Sequence, residues 1–216
     1  MKQTLSLEHL YRPGSVSENP PAIIMLHGYG SDENDLFSFA SELPSEYAII
    51  SLKAPRKLQP YGNAWYYIHF DAPNGKWSDD EQAKESRDLV SKVIDEIIAK
   101  YKVDPSNITL LGFSQGTILS FSVALSYPEK VKNVIGLSGY VNPNILKEGL
   151  ETRNFEGLSV YTSHGSVDQV IPVDWARRSK PFFDALGIPC EYSEFPVGHG
   201  VAPQNFYEFK DWLSNH

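Results

Sequence analysis

Apolar residues are grouped along the chain into short runs that predict β-strands. Runs that are almost wholly apolar are typical of strands buried on both faces of a sheet, as at Ala22–Leu26 and Ala48–Leu52. Alternation of apolar and polar residues over 5–11 predicts a strand that lies half exposed at an edge. Further strands are predicted at 108–111, 133–137, 159–164 and 188–195.

The segments between these strands carry apolar residues at helical spacing. The clearest is a long amphipathic helix that begins at the capping box Ser78-Asp79-Asp80-Glu81 and ends near Lys102. A second helix is predicted to be capped by Ser31 or Asp32 and to end at about Leu43. Others are predicted at 117–125, 173–186 and 203–213.

Strands that alternate with helices predict an α/β fold with a mostly parallel central sheet of about seven strands and helices on both faces. The length of 216 residues suits one sizeable core, so residues 1–216 are expected to form a single domain. Only about 20 residues separate the strands that end at Leu137 and begin at Ser159. This is too few for a helical cap domain, and none is expected.

Composition and charge narrow the classes of partner. The net charge of −8, with acidic and basic residues interspersed, argues against nucleic acid or an anionic membrane as the main partner. No stretch approaches the length of a membrane span, and the first residues lack the apolar core of a secretory signal. The single cysteine, Cys190, excludes an internal disulfide and is expected to be a buried, unreactive thiol. We therefore expect a cytoplasmic protein without stable membrane insertion, and the oligomeric state is left open.

The chemistry of the chain centres on Gly112-Phe113-Ser114-Gln115-Gly116, which follows an apolar strand and precedes an apolar helix. Gly-x-Ser-x-Gly in this setting is typical of a serine nucleophile presented on a sharp turn. The turn strains the backbone at Ser114, and a side chain at residue 112 or 116 would collide with a neighbouring element. We therefore predict that Ser114 is a catalytic nucleophile; an ordinary turn with an incidental serine is the alternative.

A serine hydroxyl needs a base to accept its proton, and histidine suits that task near neutral pH. The chain order that accompanies Gly-x-Ser-x-Gly is serine, acid, histidine, with each group at the end of a strand. Three of the six histidines precede Ser114, and a fourth, His216, is terminal. The predicted base is His199, in a glycine-flanked loop after the last strand; His164, which ends the preceding strand, is the alternative.

The acid is expected between Ser114 and His199, shortly after a strand. Asp168 fits because it comes four residues after the predicted end of a strand at His164. Its carboxylate would accept the second ring N–H of His199 and orient the imidazole. A turn-forming aspartate is the alternative. Ser138 also follows a strand, but it lacks a glycine two residues later and is the weaker candidate for the nucleophile.

Two backbone N–H groups are needed to stabilise the oxyanion that forms when a serine attacks a carbonyl. The N–H of Gln115 is one, because Gln115 follows the nucleophile at the N-terminus of a helix. The second is expected from the loop His27-Gly28-Tyr29-Gly30, and the N–H of Tyr29 is the predicted donor. A simple glycine turn is the alternative interpretation of this loop.

The stretch 53–77 is long, lacks clear periodicity and is rich in aromatic residues, which is unusual in a compact domain unless the stretch is functional. We predict that Trp65 and Tyr66, with their aromatic neighbours, form the wall of an acyl or aryl pocket beside Ser114. The alternative is that these rings anchor the loop to the core. The other aromatic residues of the stretch are Tyr61, Tyr67, Phe70 and Trp77.

Together these residues resemble the carboxylesterase/phospholipase family of α/β hydrolases, which includes the acyl-protein thioesterases and small bacterial carboxylesterases. The resemblance runs over about nine-tenths of the chain, in the family's order. The matching segments are His27-Gly28-Tyr29-Gly30, Gly112-Phe113-Ser114-Gln115-Gly116, Leu137-Ser138-Gly139-Tyr140, Gly165 with 168–172, and Gly198-His199.

The resemblance implies an α/β-hydrolase fold without a lid, and a hydrolase that uses no metal or organic cofactor. It also implies Ser114, Asp168 and His199 as the catalytic triad, with Tyr29 and Gln115 as the oxyanion pair. We therefore predict hydrolysis of small or acylated carboxylic esters or thioesters, as by a carboxylesterase, acyl thioesterase or lysophospholipase. A carbohydrate or aryl deacetylase with the same triad is one alternative. A non-catalytic binding protein that keeps the fold is another.

Overall fold

The computed structural model describes residues 4–16, 18–72 and 75–216. Two groups of strands are present: those of a large sheet, and short pairs that lie outside it. In chain order the strands are β1 (His9–Arg12), β2 (Ala22–Leu26), β3 (Ala48–Leu52), β4 (Arg56–Lys57), β5 (Asn63–Ala64), β6 (Ile68–Ala72), β7 (Gly75–Ser78), β8 (Ile108–Phe113), β9 (Asn133–Leu137), β10 (Ser159–Gly165) and β11 (Cys190–Phe195).

Helices alternate with the strands of the large sheet. They are α1 (Asn34–Phe37), α2 (Asp80–Tyr101), α3 (Gln115–Ser126), α4 (Val173–Ala176), α5 (Ser179–Ala185) and α6 (Pro203–Ser214). Short 3-10 turns occur at Pro128–Lys130, Pro143–Ile145 and Leu150–Thr152. Within the described ranges, no helix combines the length and the apolar character needed to cross a membrane.

The large sheet has seven strands in the order β1-β3-β2-β8-β9-β10-β11. All neighbours are parallel except β1, which pairs antiparallel with β3. Because the strands are parallel, their carboxyl ends meet at one edge, and ligands of such sheets bind there. The loops that carry the candidate residues all leave from this edge.

Two apolar layers cover the two faces of this sheet. In β2, Ile24 and Leu26 pack into a layer that includes residues of α2, α3 and α5. Ile23 and Met25, which point to the other face, pack with residues of α1 and α6. The predicted α/β class, the mostly parallel sheet and the helices on both faces are thus confirmed. The single-domain organisation stays a prediction.

The fully buried strands were predictable from the sequence, and the edge strand was less so. The predicted bounds of β2, β3 and β9 are confirmed. The prediction of a strand over 5–11 is wrong at its start, since β1 begins at His9. His9 pairs with Leu52, the last residue of β3, so residues before His9 have no strand beside them.

The helix predicted to run from Ser31 or Asp32 to Leu43 is wrong in length, since α1 spans Asn34–Phe37 and turns follow it. In these turns most backbone hydrogen bonds span three residues, as from Phe39 N to Leu36 O. The guanidinium of Arg12 donates to the carbonyl oxygens at the end of the segment. These carbonyls therefore do not need the backbone N–H groups of a continued helix as partners. These carbonyls belong to Ala40, Leu43, Pro44 and Tyr47.

The helix predicted over 173–186 is divided into α4 and α5. Pro181 accounts for the break, because it has no N–H to donate to the carbonyl of Arg177 one turn earlier. The helix predicted after residue 78 is confirmed as α2, but its cap is shifted by one residue. Asp79, not Ser78, is the N-cap, and its carboxylate accepts the N–H of Gln82 at 3.0 Å.

The stretch between β3 and α2 is more regular than its sequence indicates. Strands β4 and β5 pair with each other, and β6 pairs with β7.

The stretch between β9 and β10 holds only two of the 3-10 turns, and every one of its residues is described. The prediction that this stretch carries no cap domain is therefore confirmed.

Cys190 begins β11 and is 8% exposed. Burial raises the pKa of its thiol to about 12, so the thiol is protonated at neutral pH. The predicted burial of Cys190 is thus confirmed, and its lack of reactivity stays a prediction.

Candidate active site

Ser114 lies on the turn between β8 and α3. Its φ of 53° and ψ of −116° place its backbone in a strained conformation that residues other than glycine rarely adopt. The N–H of Ser114 donates to the carbonyl of Leu137 in β9 at 2.8 Å, which fixes the turn against the neighbouring strand. The residue is 8% exposed and lines a cavity. The strand, the strained turn and the helix are arranged as the sequence predicts.

The two glycines around Ser114 are required by contacts between backbones. A Cβ on Gly116 would lie 1.9 Å from the carbonyl oxygen of Leu26, at the end of β2. A Cβ on Gly112 would lie 2.5 Å from the carbonyl oxygen of Gly116. Because the atoms on both sides are backbone, neither collision can be relieved by a change of rotamer.

Replacing Gly116 with alanine is expected to lower the free energy of unfolding by about 3 kcal/mol, because α3 would have to move away from β2. Urea unfolding, followed by circular dichroism, measures the change. Gly200→Ala is the control, since a Cβ there meets no heavy atom within 4 Å, and its effect is expected to stay within about 0.5 kcal/mol. Equal effects of the two substitutions would contradict this account of the turn.

His199 and Asp168 lie next to Ser114 although they are far from it in the sequence. Nε2 of His199 lies 2.8 Å from Oγ of Ser114. Nδ1 of the same ring lies 2.7 Å from Oδ2 of Asp168. Each residue leaves the carboxyl edge of the sheet on its own loop, Asp168 after β10 and His199 after β11. The structure therefore brings the three predicted residues into one chain of hydrogen bonds.

The carboxylate of Asp168 is held in one orientation. Its Oδ1 accepts the backbone N–H groups of Val170 at 2.7 Å and Ile171 at 3.0 Å, which leaves Oδ2 to face His199. Burial alone would raise the pKa of Asp168, but the hydrogen bonds from His199, Ile171 and Val170 outweigh it and lower the pKa below its ordinary value. The group is thus a carboxylate at neutral pH and can stabilise a protonated imidazole.

His164, the alternative base, forms no hydrogen bond with Ser114. Its Nε2 lies 2.9 Å from the carbonyl oxygen of Ile171 and 3.2 Å from Oδ2 of Asp168, and its side chain is fully buried. It therefore braces the loop that carries Asp168. Ser138, the alternative nucleophile, also has a positive φ, of 54°, but it is not among the residues that line the cavity.

The loop after β2 lies against Ser114 from the other side. A Cβ on Gly28 would be 3.4 Å from Cβ of Ser114, and Tyr29 lines the same cavity as Ser114. Gln115 is the first residue of α3, directly after Ser114, so its N–H has no acceptor inside the helix. The residues predicted to form the oxyanion pair, Tyr29 and Gln115, thus flank Ser114.

His27 fixes the shape of this loop. Its Nδ1 lies 2.7 Å from the carbonyl oxygen of Gly28, and its Nε2 accepts the N–H of Ala54 at 3.0 Å. Burial lowers the pKa of His27, so the ring is neutral and can accept at Nε2 while it donates from Nδ1.

Trp65 is not among the residues that line the cavity, in contrast to the prediction that it forms part of the pocket wall. The ring is fully buried, and its Nε1–H donates to the carbonyl of His27 at 2.9 Å. Trp65 thus anchors the stretch 53–77 to the loop after β2, which was the alternative interpretation. Tyr66, the neighbouring residue, does line the cavity. The side chains of Phe70 and Trp77 lie outside the described residues.

The side chain of Gln115 joins this stretch to the nucleophile turn. Its Oε1 accepts the N–H of Trp65 at 2.9 Å, and its Nε2 donates to the carbonyl of Tyr66 at 2.7 Å. Only the backbone N–H of Gln115 was predicted to belong to the site, and this second role of its side chain was not predicted. A buried amide side chain directly after a nucleophile is a signal that could have indicated it, because such an amide needs partners.

Ser114 and His199 open into a cavity of about 820 Å³, which is within the range of small-molecule sites. Most of its wall is aromatic or aliphatic, and a few polar side chains interrupt it. The apolar wall includes Tyr29, Tyr66, Ile118, Tyr140, Trp175 and Phe182; the polar groups include Asp80, Asn142 and Arg178. Tyr140 and Asp80 were not predicted as wall residues, although Tyr140 lies shortly after the end of β9.

Among the residues that the structure describes, no group of three or more histidine, cysteine, aspartate or glutamate side chains could hold a metal ion.

A serine turn, an acid and a histidine at the carboxyl edge of a mostly parallel sheet form the architecture of the α/β hydrolases. Within that class, the chain belongs to the phospholipase/carboxylesterase family, whose pattern matches residues 15–216. The family resemblance seen in the sequence is thus confirmed.

Relatives in this family are distant. A protein of Oryza sativa subsp. japonica, named "probable carboxylesterase", is 28% identical over 161 residues, which cover 71% of this chain and 58% of that protein. Acyl-protein thioesterase 1 of Saccharomyces cerevisiae is 29% identical over 142 residues, which cover 64% of this chain and 60% of that protein. The chain thus spans less than two thirds of the length of these relatives.

The fold is shared over the whole chain. The crystal structure of the Bacillus cereus carboxylesterase superposes with a TM-score of 0.84 at 20% identity, and covers 99% of this chain and 96% of that one. This likeness confirms the α/β-hydrolase fold.

Proposed function

We propose that this protein hydrolyses carboxylic esters or thioesters through an acyl-enzyme formed on Ser114. The observation that carries the proposal is the unbroken chain of hydrogen bonds from Asp168 through His199 to Ser114, at the wall of a cavity large enough for a substrate. The names of the relatives, carboxylesterase and acyl-protein thioesterase, support the same bond types.

The first half of the reaction transfers the acyl group to Ser114. Oγ attacks the carbonyl carbon while Nε2 of His199 accepts its proton, and the carbonyl electron pair moves to oxygen. The N–H groups of Gln115 and Tyr29 donate to this oxyanion. When the tetrahedral intermediate collapses, His199 gives the proton to the leaving alcohol or thiol, and the acyl group remains on Oγ.

The second half repeats these steps with water. The water oxygen attacks the acyl carbon while His199 takes a proton from the water. His199 then gives this proton to Oγ of Ser114 as the carboxylic acid leaves. Throughout, Asp168 accepts the Nδ1–H and stabilises the imidazolium. Loss of one oxyanion donor typically costs about 3 kcal/mol of transition-state stabilisation.

The cavity suits a small or acylated substrate. We propose Tyr66 as a substrate-contacting wall residue, held by the side chain of Gln115. A net charge of −8 disfavours nucleic acid as a partner. The cytoplasmic location stays a prediction from the sequence.

Covalent labelling tests the proposal. A fluorophosphonate is expected to modify one residue, Ser114, as identified by mass spectrometry of the labelled peptide. The unlabelled protein is expected to hydrolyse p-nitrophenyl acetate or an acetyl thioester, and the labelled protein neither. A protein that takes no label and leaves both esters intact would instead be the non-catalytic binding protein of the alternative hypothesis.

A further inference from the structure

A carboxylate without a cationic partner lies in the wall of the cavity. Asp80 is the first residue of α2, and its Oδ1 accepts weak hydrogen bonds from Ser78 at 3.2 Å and Asn142 at 3.5 Å. Within the described part of the chain, its Oδ2 accepts no hydrogen bond, and no lysine or arginine nitrogen lies within 4.0 Å. The next residue, Glu81, differs, because it is exposed and pairs with Lys84 at 2.7 Å.

Aromatic side chains line the cavity together with Asp80. They include Tyr66, Tyr140 and Trp175, and the rings of Tyr140 and Trp175 meet edge to face at 5.2 Å. Burial raises the pKa of both tyrosines, and the negative charge of Asp80 raises each further. Both hydroxyls therefore stay neutral, and both lie within the electrostatic field of this carboxylate.

A carboxylate bordered by neutral aromatic rings is a poor environment for a purely apolar ligand. An alkyl chain that filled this part of the cavity would remove water from Asp80 and provide no compensating partner. A positively charged group gains from both features, through charge attraction to the carboxylate and through cation–π contact with the rings.

Arg178 lines the same cavity and does not neutralise Asp80. Its side chain is exposed, and its guanidinium forms no ion pair with Asp80 within 4.0 Å. Water screens the charge of an exposed arginine more than that of a group deeper in a cavity.

We infer that Asp80, together with Tyr66 and Tyr140, forms a subsite for a cationic group, so that the preferred substrates are carboxylic esters bearing an ammonium group. The inference rests on the proposed function, because the subsite lies in the cavity of Ser114. It gives the cavity a substrate class, and it gives Asp80 the role of selecting substrates that carry a positive charge.

Matched pairs of esters test the inference. One pair is acetylcholine and 3,3-dimethylbutyl acetate, which differ only in the charge of the alcohol. The other pair places a trimethylammonium or a tert-butyl group at the end of the acyl chain of a p-nitrophenyl ester, with spacers of several lengths. In at least one pair, kcat/KM is expected to be about tenfold higher for the cationic ester, and this ratio is expected to fall as salt is added.

Asp80→Asn separates the subsite from other sources of selectivity. The ratio of cationic to neutral kcat/KM is expected to fall to about 1 in this variant. Glu81→Gln removes the same charge one residue away, outside the cavity, and is expected to keep the wild-type ratio. A circular dichroism melt checks that both variants are folded.

The outcomes distinguish this inference from the function on which it rests. Hydrolysis of the neutral esters, with ratios within twofold of 1 in every pair, would overturn the subsite and leave the esterase intact. A ratio that survives Asp80→Asn, or that falls equally in Glu81→Gln, would also overturn it. A protein that hydrolyses none of the esters would remove both.

Discussion

Ser114→Ala is expected to lower kcat for p-nitrophenyl acetate by about 10⁶-fold, because it removes the hydroxyl that faces the imidazole of His199. In the wild type, the Ser114 hydroxyl donates its proton to His199. The variant lacks this hydroxyl, so His199 has no nucleophile to activate at this position. Steady-state rates and fluorophosphonate labelling of the variant measure the loss, and its denaturant midpoint shows whether the fold is kept.

Ser138→Ala is the matched control for this change. Ser138 also follows a strand, is buried and has a positive φ, so the two substitutions impose similar local changes. It does not line the cavity, and its replacement is expected to leave kcat within about threefold of wild type. Residual turnover of more than about 1% in Ser114→Ala, or an equal loss in the control, would exclude Ser114 as the nucleophile.

Asp168→Asn is expected to lower kcat by about 10⁴-fold with little effect on the fold. The N–H groups of Val170 and Ile171 would hold the amide oxygen where Oδ1 now lies, so the NH₂ group would face Nδ1 of His199. Nδ1 would then have to accept a hydrogen bond, and the ring proton would move to Nε2. A protonated Nε2 cannot take the proton of Ser114.

The control for this substitution is Asp174→Asn, which removes an exposed carboxylate that binds Arg177. Its kcat is expected to equal that of wild type within error. The pH-rate profiles of the two variants, together with urea unfolding, separate a catalytic loss from an unfolded protein. Asp168→Asn with more than a tenth of wild-type kcat would contradict the orienting role.

The parts of the fold that were predictable are those that the local sequence determines. The strands β2 and β3 are buried on both faces, so their composition alone indicates them. The nucleophile turn was predictable because Gly112 and Gly116 are required by contacts within the turn and with the end of β2. In these regions, local pattern and tertiary packing favour the same structure.

The parts that were not predictable depend on contacts between distant residues. The turns after α1 are stabilised by Arg12, which lies on β1, and nothing near Leu43 in the sequence indicates this. Trp65 was predicted to face the substrate, but its indole N–H needs a buried acceptor and finds it at His27. The break before α5 is different, because it follows from a local residue: Pro181 has no N–H to donate to the preceding turn.

The side chain of Gln115 limits how the segment around residues 65 and 66 can be exchanged with that of a relative. It bonds to the backbone of residues 65 and 66 as the edge of a strand would, so the turn at Ser114 and the segment around residues 65 and 66 are joined through one side chain. A segment transplanted from a relative will keep its shape only where residue 115 offers both an acceptor and a donor to the new backbone. Exchanges of the segment that keep glutamine at residue 115 should therefore give ordered hybrids, whereas replacing Gln115 with a residue that has no amide should give poorly ordered ones.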